Sequence, residues 1–379
     1  MSGIIRKFTK QLIISGNLVV SCCMLLLYLL PFTSQTNFWF INLFALSLPF
    51  FILIQAGFLI FWLMIKPKLT IIPLVTFLLC SKLILNLVGF HLPEKDASAN
   101  NSLLRVATWN SHLFNFFEYK GTLDEHMIQK AKELHAGIFT TQEFVFSLDT
   151  ASPITLERVK QKLGFKYVVA ANDRAFGVHT NIRTRNEKYH PYCIALFTNY
   201  PIIRWQKVQS QKDYNHTFLW ADLLINTDTI RIFNIHLQSM HFAKNDYEFI
   251  DNIDEQDLDV VKRNSRNLIR KMKVAYILRA NQANDVKAEI EKSPYPVIVC
   301  GDMNDVPNSY AYQTILNNLK DAHVEKGWAI GRTFRYLSPT LRIDYILHSK
   351  TLQLQQMHID RTPLSDHSPV IADFNLPQN

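Results

Sequence analysis

The run Pro296-Val297-Ile298-Val299-Cys300 is unbroken apolar chain that ends in Gly301-Asp302-Met303-Asn304. β-Branched residues in such a run predict a strand buried on both faces, one that delivers polar side chains to a sheet edge. Asp302 and Asn304 stand two apart, so in extended chain they point to one side and can share one ligand or one phosphate. Gly, Asp and Asn are also the residues of an ordinary turn, and this stretch alone does not separate the two readings. The rest of the chain does. Asn110 closes an apolar run that starts at Leu103, Glu143 follows the run Gly137 to Thr141, and Asn234 and His236 stand near the end of Thr229 to Leu237. Asp344 lies inside Arg342 to Leu347, where an isolated acid wants a partner. Asp366-His367 follows Ser365 just before the last apolar run, Val370 to Phe374. Singly, each has a plain structural reading: Asn110 and Asn304 as turn formers, Glu143 as a solvated end, His236 as a satisfied core histidine, Asp344 as half of a buried pair. Jointly, acids, amides and imidazoles at so many successive strand ends make the plain readings improbable.

The elements that must position these groups follow from periodicity and end signals. Helices are predicted over Asp124 to Leu134, Thr155 to Leu163 and, at greater length, Asp257 to Glu291, with further strands at Tyr167 to Ala171, Cys193 to Thr198 and Phe218 to Ile225. Strands recurring with few helices between them predict an α/β domain of packed sheets flanked by helices rather than a singly wound βαβ sheet. The polar stretch Leu92 to Ser102 reads as a linker. It divides the chain into an N-terminal part, 1–94, and one domain, 95–379, of a size that builds a large core.

The N-terminal part reads as a membrane anchor. No charged side chain occurs between Lys10 and Lys66, and Leu12 to Leu30 and Phe38 to Ile65 are each long enough for a hydrocarbon core that needs about 20 residues. A third run, Leu69 to Phe90, contains Pro73 and Lys82. One central Lys costs roughly 3 kcal/mol, and the Leu, Ile, Val and Phe residues around it each return about 0.3 to 0.6, so insertion wins. Three transmembrane helices are therefore predicted. The first apolar run is too long for a cleaved signal and lacks a small-x-small cleavage site, so it reads as an anchor. Arg6, Lys7 and Lys10 precede the first span, Lys66 and Lys68 separate the second from the third, and Pro31 to Asn37 carries no base. Positive residues stay in the cytoplasm, so three spans place the second domain on the extracytoplasmic side of a multi-pass membrane protein, whereas a third run that only lies in the interface would leave it in the cytoplasm.

This anchor also explains the charge. The chain has a formal net charge of +8, but residues 1–94 hold six of the bases and one acid, leaving only +3 to the remainder. That balance reports topology and is poor evidence for nucleic acid. Of five cysteines, Cys22, Cys23 and Cys80 fall in apolar spans and Cys193 and Cys300 in strand-like runs, with no metal-ligand or disulfide spacing. No protein partner is predicted.

Taken in order, Trp109-Asn110, Gln142-Glu143, Asn234-x-His236-Leu237, Gly301-Asp302-Met303-Asn304, Arg342-Ile343-Asp344-Tyr345 and Ser365-Asp366-His367-Ser368-Pro369 resemble the signature motifs of the endonuclease/exonuclease/phosphatase superfamily, the DNase I-like metal-dependent phosphohydrolases. The resemblance covers nearly all of residues 103 to 376. It departs at Pro191-Tyr192-Cys193-Ile194-Ala195, where members usually carry a glycine before the small apolar strand. It implies a four-layered sandwich, two central β-sheets flanked by helices, with the active site at one edge. It further implies Mg²⁺, with Mn²⁺ as the substitute, held chiefly by Glu143 with Asn110 and Asp366 beside it. His367, oriented by Asp344, would take the proton of the attacking water, His236 would donate to the phosphate, and Asp302 and Asn304 would orient the water and the phosphorus. The reaction expected is in-line hydrolysis of a phosphodiester or phosphomonoester without a covalent enzyme intermediate.

Which ester is cleaved stays open, because members act on DNA, RNA, phosphoinositides and sphingomyelin, and fold does not fix substrate. A tethered nuclease, a lipid or sugar-phosphate phosphohydrolase and a non-catalytic membrane binder all remain; the binder predicts erosion of a chemical residue, and none is eroded. Nucleic acid and phospholipid headgroups are thus the expected partners, together with the bilayer. Arg174, Arg183, Arg185 and Lys188 make the loop before Pro191 basic, and the long helix carries acids early and bases later, from Lys262 to Lys273. At helical spacing those charges read as a solvated face.

Overall fold

A computed structural model of the chain describes residues 2–92, 103–119, 121–172, 181–183, 189–210, 217–240, 242, 244–252 and 257–375. The predicted linker from 93 to 102 and the basic residues Arg174, Arg185 and Lys188 lie outside them; Arg183 ends the short strand Asn181–Arg183.

Two sheets face each other. One has the strand order Leu354–Ile359, Val370–Asn375, Leu103–Asn110, Ile138–Val145, Tyr189–Thr198, Tyr167–Asn172, with Asn181–Arg183 also on Tyr189–Thr198. The other runs Lys320–Asp321, Asp344–His348, Val297–Asp302, Asp228–His236, Thr217–Ile225, Ile202–Gln209. Each sheet contains one parallel pair, Leu103–Asn110 with Ile138–Val145 and Asp228–His236 with Val297–Asp302, and its other named pairings are antiparallel. Parallel neighbours need a helical crossover, and both pairs have one, so four strand C-termini emerge at one edge of the sandwich. Val106, Leu196, Ile232 and Val299 bury in the core the sheets share. Helices Glu125–Glu133 and Leu156–Leu163 cover one outer face through Met127, Ile128, Val159 and Leu163. Leu258–Glu291 and Tyr310–Leu316 cover the other through Ala283, Val286, Tyr312 and Ile315. The four-layered sandwich expected from the motifs is the fold observed.

Gly301 lets the central parallel pair close. Its φ is +138°, and a Cβ there would stand 2.0 Å from the carbonyl oxygen of Ile235 on the neighbouring strand. Gly301→Ala forces a methyl group into the neighbouring backbone and should destabilise the domain by about 3 kcal/mol. The check is the thermal unfolding midpoint, expected to fall by roughly 6 to 10 °C; an unchanged midpoint would rule out this packing.

Two N-terminal helices, Ile5–Phe32 and Gln35–Ile65, are long and apolar enough to cross a membrane. The third predicted span is not one helix: Pro67–Leu79 and Ser81–Leu87 meet at a 59° bend, so of the three spans expected two are single helices long enough to cross and the third run is a bent pair. The bend has a visible cause. Beyond it, the carbonyl of Leu83 accepts from Asn308 Nδ2 (2.7 Å) and that of Asn86 from Arg342 Nη2 (2.8 Å), which draws the last turns onto the sandwich. Inside the bundle a polar clip joins all three runs: Asn17 Nδ2 donates to Gln55 Oε1 (2.9 Å), Gln55 Nε2 to Ser21 Oγ (3.1 Å), and Thr76 Oγ1 to Ser21 Oγ (2.7 Å). Such bonds are how apolar helices hold each other where burial alone gives no preference.

The bundle is seated on the sandwich rather than hung from a tether. Leu27, Leu30, Leu48, Leu83 and Leu87 pack with Val306, Leu341 and Ile343. Tyr310 N donates to Asn42 Oδ1 (2.9 Å), and strand Gly89–Phe90 pairs with Trp328–Ala329. Trp39, near the start of the second helix, stacks on Tyr276 of the long helix with ring centroids 6.5 Å apart. Lys10, Lys66 and Arg6 gather at the opposite end of the bundle.

Candidate active site

The shared edge collects the residues anticipated from the motifs. Asp302 is in register with His236 on one side and Asp344 on the other, so these three stand abreast across the six-stranded sheet. Asn110 ends its strand in register with Gln142. Glu143 does not end the second strand, as its sequence suggested. The strand continues to Val145, and Glu143 sits at an irregularity between Thr141 and Phe144 with φ +49°. A bulge re-aims one side chain without ending the ladder, and here it turns the carboxylate to the edge. Gln142 and Asn234 point elsewhere: Gln142 Nε2 donates to Asn234 Oδ1 (2.7 Å), and Asn234 Nδ2 to the carbonyl of Ala195 (2.8 Å), a clip between the sheets.

Asp302 Oδ2 is the hub. It accepts from Asn110 Nδ2 (3.0 Å) and Asn304 Nδ2 (3.2 Å) and lies 3.7 Å from His236 Nε2 and 3.8 Å from His367 Nε2. His367 Nδ1 hydrogen-bonds Asp344 at 2.9 and 3.1 Å, and both residues are buried. Backbone N–H groups of Ile343 and Asp344 donate to Thr333 Oγ1 (3.0 and 3.1 Å), which fixes the carboxylate beneath the imidazole. Asn304 has φ +51°, and its Nδ2 donates also to the Leu237 carbonyl (2.9 Å), so it binds the loop back onto the His236 strand. The buried Arg279 donates to the Asn304 carbonyl and holds Asp305 at 3.5 Å, with its guanidinium over Tyr276 at 4.6 Å.

Glu143 and Asp366 line the open side, their side chains 21% and 24% exposed. His112, which sequence reasoning missed, stands between them, its Nδ1 3.6 Å from Glu143 Oε2 and 3.8 Å from Asp366 Oδ1. Its only sequence signal is a place two residues beyond Asn110. Phe334 covers His367, centroids 4.9 Å apart, and continues through Tyr336 (5.8 Å) to Tyr247 (6.2 Å), an aromatic wall beside the acids.

Electrostatically the site is under tension. Burial pushes the Asp302 carboxyl up to about 7, with Asp344 adding to the rise while His367, Asn110 and Asn304 oppose it. Burial alone would lower His367, but the Asp344 and Asp302 carboxylates outweigh it and hold the imidazole well above its ordinary range. Glu143 is raised by burial and then by Asp366. Two carboxylates that repel each other beside a third buried one form an oxygen-rich donor set that a hard divalent cation would relieve. Glu143 and Asp366 fit that role. Asn110 offers Nδ2 to Glu143 Oε1 (3.2 Å) as well as to Asp302, so it enters a metal shell only with its amide turned over. Asp302, Asp344 and His367 also place ligand atoms within 4.8 Å of one another, but both oxygens of Asp344 face His367 Nδ1, which reads as an imidazole–carboxylate dyad.

Comparison with known proteins agrees with this fold. Residues 10–87, the apolar bundle, match the model of a domain of unknown function, DUF8431. Two UPF0294 proteins, from Vibrio vulnificus strains YJ016 and CMCP6, are each 30% identical over 97 residues, 25% of this chain, and the match spans 33% of those proteins' length. The crystal structure of an endonuclease/exonuclease/phosphatase from Beutenbergia cavernae DSM 12333 superposes with a TM-score of 0.52 at 16% identity, covering 73% of this chain and 72% of that one. The family model for endonuclease/exonuclease/phosphatase proteins runs over residues 107–367, from the strand that ends in Asn110 to the histidine of the dyad. With two facing sheets whose common edge gathers the acids and imidazoles of that segment, the chain belongs to the Endonuclease/Exonuclease/phosphatase family.

Proposed function

We propose that this chain is a membrane-tethered phosphoesterase that depends on a divalent cation and cleaves a phosphate ester by direct attack of water. The observation that carries this reading is the meeting of a His367–Asp344 dyad, His236 and three further carboxylates at one sheet edge, with Asp302 Oδ2 within 4 Å of both imidazoles. A Mg²⁺ or Mn²⁺ ion held by Glu143 and Asp366 would neutralise the anionic phosphate. In its neutral form His367 takes the proton of the attacking water at Nε2, and Asp344, hydrogen-bonded to Nδ1, stabilises the imidazolium that forms. His236, buried beside Asp302 and Glu143, donates to a phosphate oxygen, and Asp302 orients the water with Asn304 shaping the loop around it. The test is hydrolysis by the full chain in nanodiscs, with Mg²⁺ or with chelator, of single-stranded DNA, duplex DNA, RNA and a phospholipid panel. Cleavage of one class with Mg²⁺ alone supports the reading, and no cleavage of any class with cation bound would favour a binding protein. The nuclease reading draws on the family; seating of the bundle within two residues of Asn304 and Asp344, through Val306 and Ile343, favours a lipid phosphate ester.

The same reading places the catalytic domain outside the cytoplasm. Its support is the bundle's polarity, with bases at one end and the sandwich at the other. Protease added to intact cells expressing the chain should digest the catalytic domain; a protected domain would reverse the topology.

A further inference from the structure

The bases of the long helix lie beside the bundle, which gives them a closer partner than bulk water. From Lys262 to Lys273 the helix carries Lys262, Arg263, Arg266, Arg270, Lys271 and Lys273 and no acid. At 3.6 residues per turn, Lys262, Arg266, Ile269 and Lys273 fall within a quarter-turn of the line through Tyr276, the residue that Trp39 covers. Ile269 is 51% exposed in the middle of that strip, and Lys262, Arg266 and Lys273 are exposed around it. Among the described residues only Lys262, with Asp259 at 3.8 Å, and Lys271, with Asp246 at 2.5 Å, are in ion pairs. The strip ends where Asp257 and Asp259 begin the helix.

We propose that this half of the helix lies on the headgroup layer of the bilayer that the anchor crosses, Ile269 entering between lipids and Lys262, Arg266 and Lys273 held by anionic headgroups. It rests on the membrane-tether reading above. Positive charge around an exposed apolar residue is the pattern of an interfacial helix, and the strip is continuous with the Trp39 contact. A nucleic-acid backbone would use the same bases but has no use for the isoleucine among them. The consequence reaches the site. Lys271 holds Asp246 of the short helix Lys244–Asp251, whose Tyr247 belongs to the aromatic wall, and Arg279 holds the Asn304 carbonyl. Docking would therefore set the mouth of the site against the lipid surface.

Nitroxide labels test this on the full chain with Cys22 and Cys23 replaced by Ser, in nanodiscs of phosphatidylcholine alone or mixed with phosphatidylglycerol. Labels go to Ile269, to Asn267 on the opposite face, and to Ile60 in the apolar helix Asn42–Ile65. Collision rates with oxygen and with a water-soluble nickel chelate report depth. The label at 60 should read lipid in both discs, that at 269 should shift from water to lipid when phosphatidylglycerol is present, and that at 267 should stay in water. The triple variant Lys262→Gln/Arg266→Gln/Lys273→Gln should weaken docking about a hundredfold, at about fivefold per base. Position 60 in lipid with 269 in water in both discs overturns the proposal and leaves the tether standing, whereas position 60 in water removes both. Shielding of 269 by single-stranded DNA, without a response to phosphatidylglycerol, would overturn it in favour of nucleic acid.

Discussion

His367→Ala is expected to lower kcat by at least about a hundredfold with the fold intact, the usual worth of a positioned general base. The ring is buried, but its removal does not strip the core, because the covering Phe334 belongs to an aromatic wall that continues to Tyr336 and Tyr247. With the imidazole gone the buried Asp344 carboxylate loses its hydrogen-bond partner, so Asp344→Asn in the same background should restore any stability lost without restoring turnover. Circular dichroism and thermal unfolding check the fold, and initial rates check the chemistry. Near-normal turnover in a folded variant would remove His367 from the mechanism.

Glu143→Gln tests the other half of the site. The substitution keeps the shape, removes a charge that burial and Asp366 already make costly, and should leave stability equal or slightly higher. Losing one of few carboxylate ligands should raise the Mg²⁺ concentration for half-maximal activity by at least about a hundredfold, beyond the 10- to 100-fold that supporting residues are worth. Mg²⁺ titrations of initial rate measure it directly. An unchanged requirement would move the cation away from Glu143, toward the group formed by Asp302, Asp344 and His367.

Much of this edge was legible because strands buried on both faces must stop being apolar where they reach water, and Asn110, His236, Asp302 and His367 mark those stops. What periodicity cannot give is register. That Asp302 stands between His236 and Asp344 follows from pairings between strands far apart in sequence. The chemistry of Glu143 is legible but its place inside the strand is not, since a bulge leaves no apolar or glycine signal in Thr141-Gln142-Glu143-Phe144. The edge strand Ile202–Gln209 carries no strand signal: it is largely exposed on both faces, so its sequence lacks the alternation that identifies a half-buried strand. Nor did composition foresee the bend at Cys80 or the seating of the bundle, because the hydrogen bonds that cause them come from Asn308 and Arg342, more than two hundred residues later. His112 stayed hidden for a simpler reason: a histidine in a polar turn has no pattern of its own.

The reaction itself is the most direct test of the account. Full-length protein in nanodiscs with Mg²⁺, given a generic phosphodiester such as bis(4-nitrophenyl) phosphate in ¹⁸O-labelled water, should release a phosphate monoester carrying one labelled oxygen, and His367→Ala should abolish that release. Absence of cleavage by the cation-loaded wild type, or label incorporation undiminished in the His367 variant, would contradict it.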